Sequence, residues 1–260
     1  MKQLIRIILP LACAVPLTGA ALAWQDGKPS PQEVFEDLSD EAQETYDAWV
    51  TDIRAKIAAA REAGEELPAI RYAPPYEAFI PRFQEGADAY AGTDGAVPFL
   101  LWLAREGMGV DRDTGKRALS TLVDDHLESD AFVPVAPMLT SFIQIFGDEE
   151  GAALLSKVEK NAKNKTVVAW AVLARLSDTL GESELGSETY ETAKKEMKAA
   201  MKGVEDSGLK RQVGQLIEVR EKFSIGAVAP DIEGIDLDGT EFKLSDYKGK
   251  ILFVDFWGDW

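Results

Sequence analysis

Apolar residues recur mostly at three-, four- or seven-residue steps, apart from one eight-residue step between Leu38 and Tyr46, and this spacing constrains the fold more than any other feature. Side chains three or four residues apart lie on the same face of an α-helix. In residues 32–64 the apolar positions are Val34, Leu38, Tyr46, Trp49, Ile53 and Ile57. Gly64 is a suitable C-cap, so the pattern predicts one long helix over residues 32–64. Three prolines then predict a loop over residues 65–77 that leads into Phe79.

Between residues 95 and 223 the sequence predicts a series of shorter helices. The predicted segments are 97–106, 113–127, 134–146, 149–162, 166–180, 187–202 and 207–223. Helices of this length that are joined by small turns favour antiparallel pairs. No residue pattern recurs at a fixed period, so the sequence favours an irregular helical bundle over a helical solenoid.

The pattern changes to that of strands after Ile225. Residues 228–232 predict an extended segment, and residues 235–242 predict a hairpin. Asp238-Gly239 supplies the residues that adopt positive φ angles in a tight hairpin turn. Residues 251–256 are a continuous apolar run, interrupted only by Asp255, which is typical of a strand buried on both faces of an α/β sheet.

Several short motifs follow one another at fixed spacing in residues 226–260. They are Gly226-x-x-Ala229-Pro230-Asp231, Asp238-Gly239, Leu244-Ser245-Asp246-Tyr247-x-Gly249-Lys250 and Phe256-Trp257-x-x-Trp260. In order and spacing this segment resembles the opening of a redoxin domain of the TlpA and AhpC/TSA type, within the thioredoxin-fold superfamily. The predicted fold class is therefore mainly α: an irregular helical bundle followed by the incomplete start (hairpin and first buried strand) of an α/β thioredoxin fold.

The resemblance implies a redox site that would directly follow Trp260. In the family the next residues are Cys-x-x-Cys, and the first cysteine is the nucleophile, whose pKa is lowered at a helix N-terminus. By resemblance, Asp255 matches a buried carboxylate that exchanges protons with the second cysteine, whereas Trp257 and Trp260 would shield the pair from water. The alternative for Asp255 is a strand-end carboxylate without a role.

The sequence stops one residue before this expected nucleophile, so no catalytic residue is present in it. Three explanations remain open: a fragmentary reading of the gene, a real nonsense mutation, or a stop triplet that encodes selenocysteine. Cys13 is the only cysteine, so a mature chain that lacks it has no thiolate, disulfide or cysteine metal site. The 260-residue chain is expected to be inactive and to need no cofactor.

Three functions are compatible with these observations. The resemblance implies an intact thiol-disulfide oxidoreductase whose substrate is a disulfide-bearing protein or a small thiol. The first alternative is an envelope binding or scaffold protein that acts through its helical domain. The second is a thiol peroxidase of the AhpC/TSA type that acts on peroxide, although Phe256-Trp257 followed by Trp260 favours the TlpA-like reductases.

The N-terminus has the features of a signal peptide over residues 1–23. Lys2 and Arg6 precede the apolar residues 7–17, and Ala21-Leu22-Ala23 predicts cleavage before Trp24. Export to the periplasm or the extracellular space is therefore expected, with no membrane span left after cleavage. A lipid on Cys13 is the disfavoured alternative, because Pro10 stands where lipoprotein signals carry a branched apolar residue. The helical domain would then cover residues 24–222 and the start of the redoxin domain residues 223–260.

The charge of the chain argues against two classes of partner. A formal net charge of −17 repels nucleic acid and anionic lipid. Asp111-x-Asp113-x-Gly115 matches part of a calcium loop but lacks its further ligands, so capping by Asp113-Thr114 is favoured. His126, the only histidine, has no Ser or Cys partner in the pattern and is predicted to lie on the surface.

Overall fold

The computed structural model describes residues 29–67 and 73–255. The fold in these ranges is mainly α, with one small antiparallel sheet, which confirms the predicted fold class. The helices are α1 (Pro31–Ala63), α2 (Ile80–Ala89), α3 (Val97–Arg105), α4 (Arg112–Asp125), α5 (Phe142–Phe146), α6 (Asp148–Asn161), α7 (Lys165–Glu182), α8 (Glu188–Ala200) and α9 (Ser207–Phe223). The strands are β1 (Glu233–Ile235) and β2 (Glu241–Lys243). The predicted signal peptide, Cys13, Trp24, Trp257 and Trp260 lie outside the described residues.

The ends of α1 follow directly from the sequence at each terminus. The Ser30 hydroxyl accepts a hydrogen bond from the Glu33 backbone N–H at 3.2 Å, and the Glu33 carboxylate accepts one from the Ser30 N–H at 2.6 Å. This reciprocal capping box satisfies two backbone donors that would otherwise lack partners. Gly64 ends the helix with a φ of 66°, a left-handed conformation that glycine adopts without steric cost.

The hydrophobic core is centred on α7, which is buried over most of its circumference. The buried residues of α7 are Val167, Ala169, Trp170, Ala171, Val172, Leu173, Ala174, Leu176 and Leu180. Helices α6, α8 and α9 and the 3₁₀ segment Asp130–Ser141 all pack against it. At the other end of the core, α3 packs between α2 and α4. A helix that is apolar all round has to be enclosed by its neighbours, so α7 organises the bundle.

Two helical elements differ from the prediction. Helix α2 was not predicted, because it has only ten residues and its apolar stripe is reduced to Phe83 and Ala87 around Gly86. The predicted helix 134–146 is instead a 3₁₀ segment that ends at Ser141, followed by the short α5. Pro134 and Pro137 cause this difference, because proline lacks the N–H that a continuous α-helix needs.

The start and the end of α4 also differ from the prediction. Its N-cap is Asp111, whose carboxylate accepts hydrogen bonds from the Asp113 N–H at 3.1 Å and the Thr114 hydroxyl at 2.5 Å. Asp111 therefore caps the helix, two residues earlier than the predicted cap at Asp113. The surface position predicted for His126 is wrong, since only 4% of this residue is exposed. His126 is the C-cap of α4, and the next residue, Leu127, is also buried. The chain therefore enters the core at this point, and His126 is buried with it.

The predicted hairpin is present, but the predicted buried strand is not. Residues 251–255 have no strand pairing, and Ile251 and Phe253 are almost fully exposed. A strand needs hydrogen-bonding neighbours, and no other described residues pair with this run. Within the described part of the chain, no helix is both long and apolar enough to cross a membrane.

The close approach of α2 to α3 provides a test of core packing. A Cβ added at Gly86 would lie 2.3 Å from the Phe99 ring. We therefore expect Gly86→Ala to lower the free energy of unfolding by about 1–3 kcal/mol, because Phe99 has to move within a packed core. At Gly214 in α9 nothing lies within 4 Å of an added Cβ, so Gly214→Ala should raise stability by about 0.5–1 kcal/mol. Urea denaturation of both variants measures this, and an equal effect at the two positions would contradict the packing.

Candidate functional site

The C-terminal segment, residues 224–255, contains the described part of the redoxin-like motifs. Its frame is the antiparallel pairing of β1 with β2, in which Gly234 stands opposite Phe242. The Phe242 ring lies over Gly234, where an added Cβ would approach the ring to 3.0 Å. Glycine at this position therefore lets the aromatic side chain cover the backbone of the neighbouring strand.

The turn of the hairpin is held by a carboxylate that the sequence prediction did not single out. One oxygen of Asp236 accepts hydrogen bonds from the backbone N–H of Asp238 at 2.9 Å and from that of Thr240 at 2.8 Å. Gly239 has a φ of 84°, as predicted, whereas the positive φ predicted for Asp238 is wrong, since among the described residues only glycines have a positive φ. An aspartate that precedes a turn commonly bonds to the backbone beyond it, and this rule could have identified Asp236.

Asp231 connects the beginning of the segment to the turn that follows β2. Its two carboxylate oxygens accept hydrogen bonds from the Ser245 backbone N–H and the Ser245 hydroxyl, both at 2.8 Å. The Leu244 N–H donates to the Ile232 carbonyl at 3.1 Å, beside this pair. The hydroxyl and the N–H of Ser245 lower the pKa of Asp231, because both stabilise the ionised carboxylate. Two motif residues thus have a definite role, which is to close the hairpin onto its turn.

The turn after β2 sets the direction of the chain towards its last described residues. Asp246 accepts a hydrogen bond from the Lys243 N–H at 2.9 Å, and the Lys250 N–H donates to the Tyr247 carbonyl at 3.0 Å. Gly249 has a φ of 84°, which reverses the backbone just before residues 251–255. These contacts account for the Leu244-Ser245-Asp246-Tyr247-x-Gly249 motif as a structural turn.

Two of the three predicted site residues, Trp257 and Trp260, lie outside the described residues. Asp255 is the one that lies within the described residues, and its side chain is exposed. The apolar residues around it are not covered either, since Ile251 and Phe253 are open to solvent. The described ranges contain no cysteine, because the single cysteine of the chain is Cys13. The segment can therefore support a neighbouring strand, but it carries no sulfur nucleophile of its own.

Comparison with known proteins gives short matches to one kind of enzyme. The chain is 51% identical to the thiol-disulfide oxidoreductase ResA of Geobacillus kaustophilus over 37 residues, which are 14% of this chain and 21% of that protein. It is 49% identical over 37 residues to ResA of Geobacillus thermodenitrificans, with the same coverage. It is also 46% identical over 41 residues to ResA of Bacillus anthracis, or 16% of this chain and 24% of that protein. No family model matches the chain, and no solved structure matches it.

These matches relate a small part of the chain to thiol-disulfide oxidoreductases. The chain spans about a fifth to a quarter of the length of the curated relatives that it matches. The matched length is similar to that of residues 226–260, which carry the redoxin motifs. The relationship therefore concerns the family of a short stretch, and the activity of the whole protein is a separate question.

The Asp231–Ser245 contact predicts how the C-terminal segment responds to pH. Because the folded pKa of Asp231 lies below its ordinary value, the contact is fully present above that ordinary value and is lost as the pH falls through the folded pKa. An NMR titration of the Asp231 carboxyl carbon should have its midpoint below that of an unpaired aspartate, and the Ser245 amide signal should move with it. Ser245→Ala should raise the midpoint, whereas the control Ser207→Ala should not. Equal midpoints in these two variants would contradict the assigned contact.

Proposed function

We propose that the whole protein is a thiol-disulfide oxidoreductase with two parts. Residues 24–222 form the helical domain, and residues 223–260 begin a thioredoxin-like redoxin domain. The short matches to thiol-disulfide oxidoreductases support this proposal most directly. The Asp231–Ser245 contact and the Asp236 turn support it as well, because residues of the motif stabilise the hairpin that opens such a domain.

The proposed reaction is exchange of a disulfide through a nucleophile placed directly after Trp260. A thiolate or selenolate at that position attacks one sulfur of a substrate disulfide, so the substrate S–S bond breaks and a mixed disulfide forms. The cysteine three residues further on then attacks the mixed disulfide. The substrate leaves as a dithiol after accepting two electrons, and the enzyme pair becomes oxidised. An external thiol reductant restores the pair for the next turnover.

In this proposal Asp255 is a proton carrier for the second cysteine. That cysteine has to lose its proton before it can attack, and a nearby carboxylate can accept it. In the described residues the Asp255 side chain is exposed, so this role needs the rest of the domain to cover it. Trp257 and Trp260 would supply part of that cover. The substrates are disulfide-bearing proteins or small thiols, and the comparisons favour this activity over the peroxidase alternative, since all three relatives above are thiol-disulfide oxidoreductases.

Insulin reduction with dithiothreitol tests the redox proposal. Residues 24–260 should show no activity above background, because no cysteine is present in them. We expect the gene to continue past Trp260 into x-Gly/Pro-x-Cys, with cysteine or selenocysteine at x, and the extended protein with cysteine at x should be active. Asp255→Ala in that protein should slow turnover about tenfold or more. Asp238→Ala, an exposed turn residue, is the matched control.

Each arm of this experiment can contradict a different part of the proposal. No cysteine within a few codons after Trp260 would remove the redox function and leave the scaffold alternative. Turnover of hydrogen peroxide without insulin reduction would favour the peroxidase. Equal rates for the Asp255→Ala and Asp238→Ala proteins would reject the proton-carrier role alone.

We also propose that the protein is exported after cleavage before Trp24. The charged, apolar and small-residue regions of residues 1–23 support this, and disulfide exchange has substrates outside the reducing cytoplasm. Expression of the full chain in a bacterium, followed by N-terminal sequencing of the periplasmic fraction, should give a protein that begins at Trp24. An intact Met1 or a lipid on Cys13 would contradict the proposal.

A further inference from the structure

An open cleft lies on the helical part of the chain, between α1, α3 and the loop before α2. Its volume is about 500 Å³, within the usual range of ligand-binding clefts. Residues that line it include Ser39, Tyr46, Pro74, Tyr76, Trp102 and Glu106. None of them belongs to the redoxin motifs, and neither the fold nor the proposed redox chemistry explains the cleft.

The aromatic walls of this cleft are held in place by contacts with one another. The Tyr76 ring meets the Trp102 ring at 5.3 Å in an edge-to-face arrangement, and the Tyr46 ring lies 6.4 Å from Tyr76. Trp102 is itself stacked on Phe83, at 3.6 Å and nearly parallel. Such rings cannot turn freely, and the electron-rich face of an aromatic ring attracts cations.

Glu106 adds a negative charge at the rim of the cleft. It is the C-cap of α3, so its carboxylate stands near the partially negative end of that helix. The pKa of the Tyr76 hydroxyl is raised, first by burial and second by the negative charge of Glu106. The charge of Glu106 therefore acts on the wall of the cleft. Among the residues that the structure describes, no cation forms an ion pair with Glu106. Glu106 therefore places at the cleft a negative charge that no described residue neutralises through an ion pair, and Arg105 lines the adjoining cleft.

A second cleft continues the first along α3. It has a volume of about 380 Å³ and shares Trp102 and Glu106 with the first. Its lining is mainly apolar and includes Phe35 and Leu101, but Asp94 and Arg105 line it as well. Phe35, Ser39 and Tyr46 stand four and seven residues apart, so they lie on one face of α1. The two clefts therefore adjoin at Trp102 and Glu106, and we call the pair the α1–α3 groove, with an anionic aromatic end and a mainly apolar end.

We propose that this groove binds an extended segment of a partner protein that carries a basic residue and an apolar residue close together. The arginine or lysine side chain lies between Tyr46, Tyr76 and Glu106, and the apolar side chain lies against Phe35 and Leu101. The guanidinium or ammonium group complements the negative charge of Glu106 and the faces of the Tyr46 and Tyr76 rings. The apolar extension favours a peptide over a free small cation, which would leave that end of the groove empty. This proposal does not depend on the redox function.

Calorimetric titration of the protein made from the full 260-residue chain tests the groove. The probes are blocked peptides in which leucine and arginine are separated by zero to three glycines, each with a citrulline-containing twin that has the same shape but no charge. At least one arginine peptide should bind about fivefold or more tightly than its citrulline twin. Glu106→Gln should weaken arginine-peptide binding about threefold to tenfold and leave citrulline-peptide binding unchanged. Glu44→Gln, on the opposite face of α1, is the charge-matched control and should have no effect.

A second pair of variants separates ring chemistry from stability. Tyr46→Phe keeps the aromatic face and should retain binding, whereas Tyr46→Leu should weaken it, with both proteins checked for unchanged thermal melting. Equal binding of arginine and citrulline peptides, or no binding at about 1 mM peptide, would overturn the proposal. So would equal affinity for free arginine amide, which would indicate a small-cation site.

Discussion

The enclosure of α7 is the interaction on which the rest of the helical part depends. This helix is apolar on nearly all sides, so water has to be excluded by several neighbours at once. The neighbours α8 and α9 have thin apolar stripes and charged outer faces, and they are positioned by this contact. Polar contacts then fix the orientation: Arg175 on α7 bonds to Glu159 on α6 at 2.7 Å and also to Glu196 on α8 at 2.5 Å. These partly exposed ion pairs orient the helices, whereas hydrophobic burial holds them together.

The C-terminal segment is built on the opposite principle. Its order comes from backbone and carboxylate hydrogen bonds at Asp231, Asp236 and Asp246, and its apolar side chains remain exposed. Hydrogen bonds of this kind determine a local conformation but add little net stability in water. A two-stranded hairpin has too little buried surface to be stable by itself. Such a segment needs a larger sheet, and this requirement agrees with the redoxin domain proposed for the whole protein.

The two proposed functions of the molecule belong to different parts of the chain. Redox chemistry is assigned to residues that follow the C-terminal segment, whereas partner recognition is assigned to the α1–α3 groove. A separate groove allows partner recognition to take place in a different part of the chain from the proposed exchange step. The helical part would then contribute specificity, and the redoxin part would contribute the thiol.

Local patterns in the sequence were sufficient to predict most of the helices, the hairpin and the family of the C-terminal motifs. Helical spacing, caps and turn residues act over a few positions, and this is why α1, α7 and the positive φ of Gly239 were predicted correctly. Two short elements were not predicted: α2, which packs against both α1 and α3, and the 3₁₀ segment, in which Pro134 and Pro137 change the type of helix without ending it. Burial was not predictable in the same way. His126 is buried and residues 251–255 are exposed, because burial depends on the residues that pack around a side chain. The sequence alone determined local conformation and motif identity. The tertiary structure decided which residues are buried, and it brought Tyr46, Tyr76 and Glu106 into one groove. Local patterns do not predict such contacts, because they join residues that are far apart in the chain.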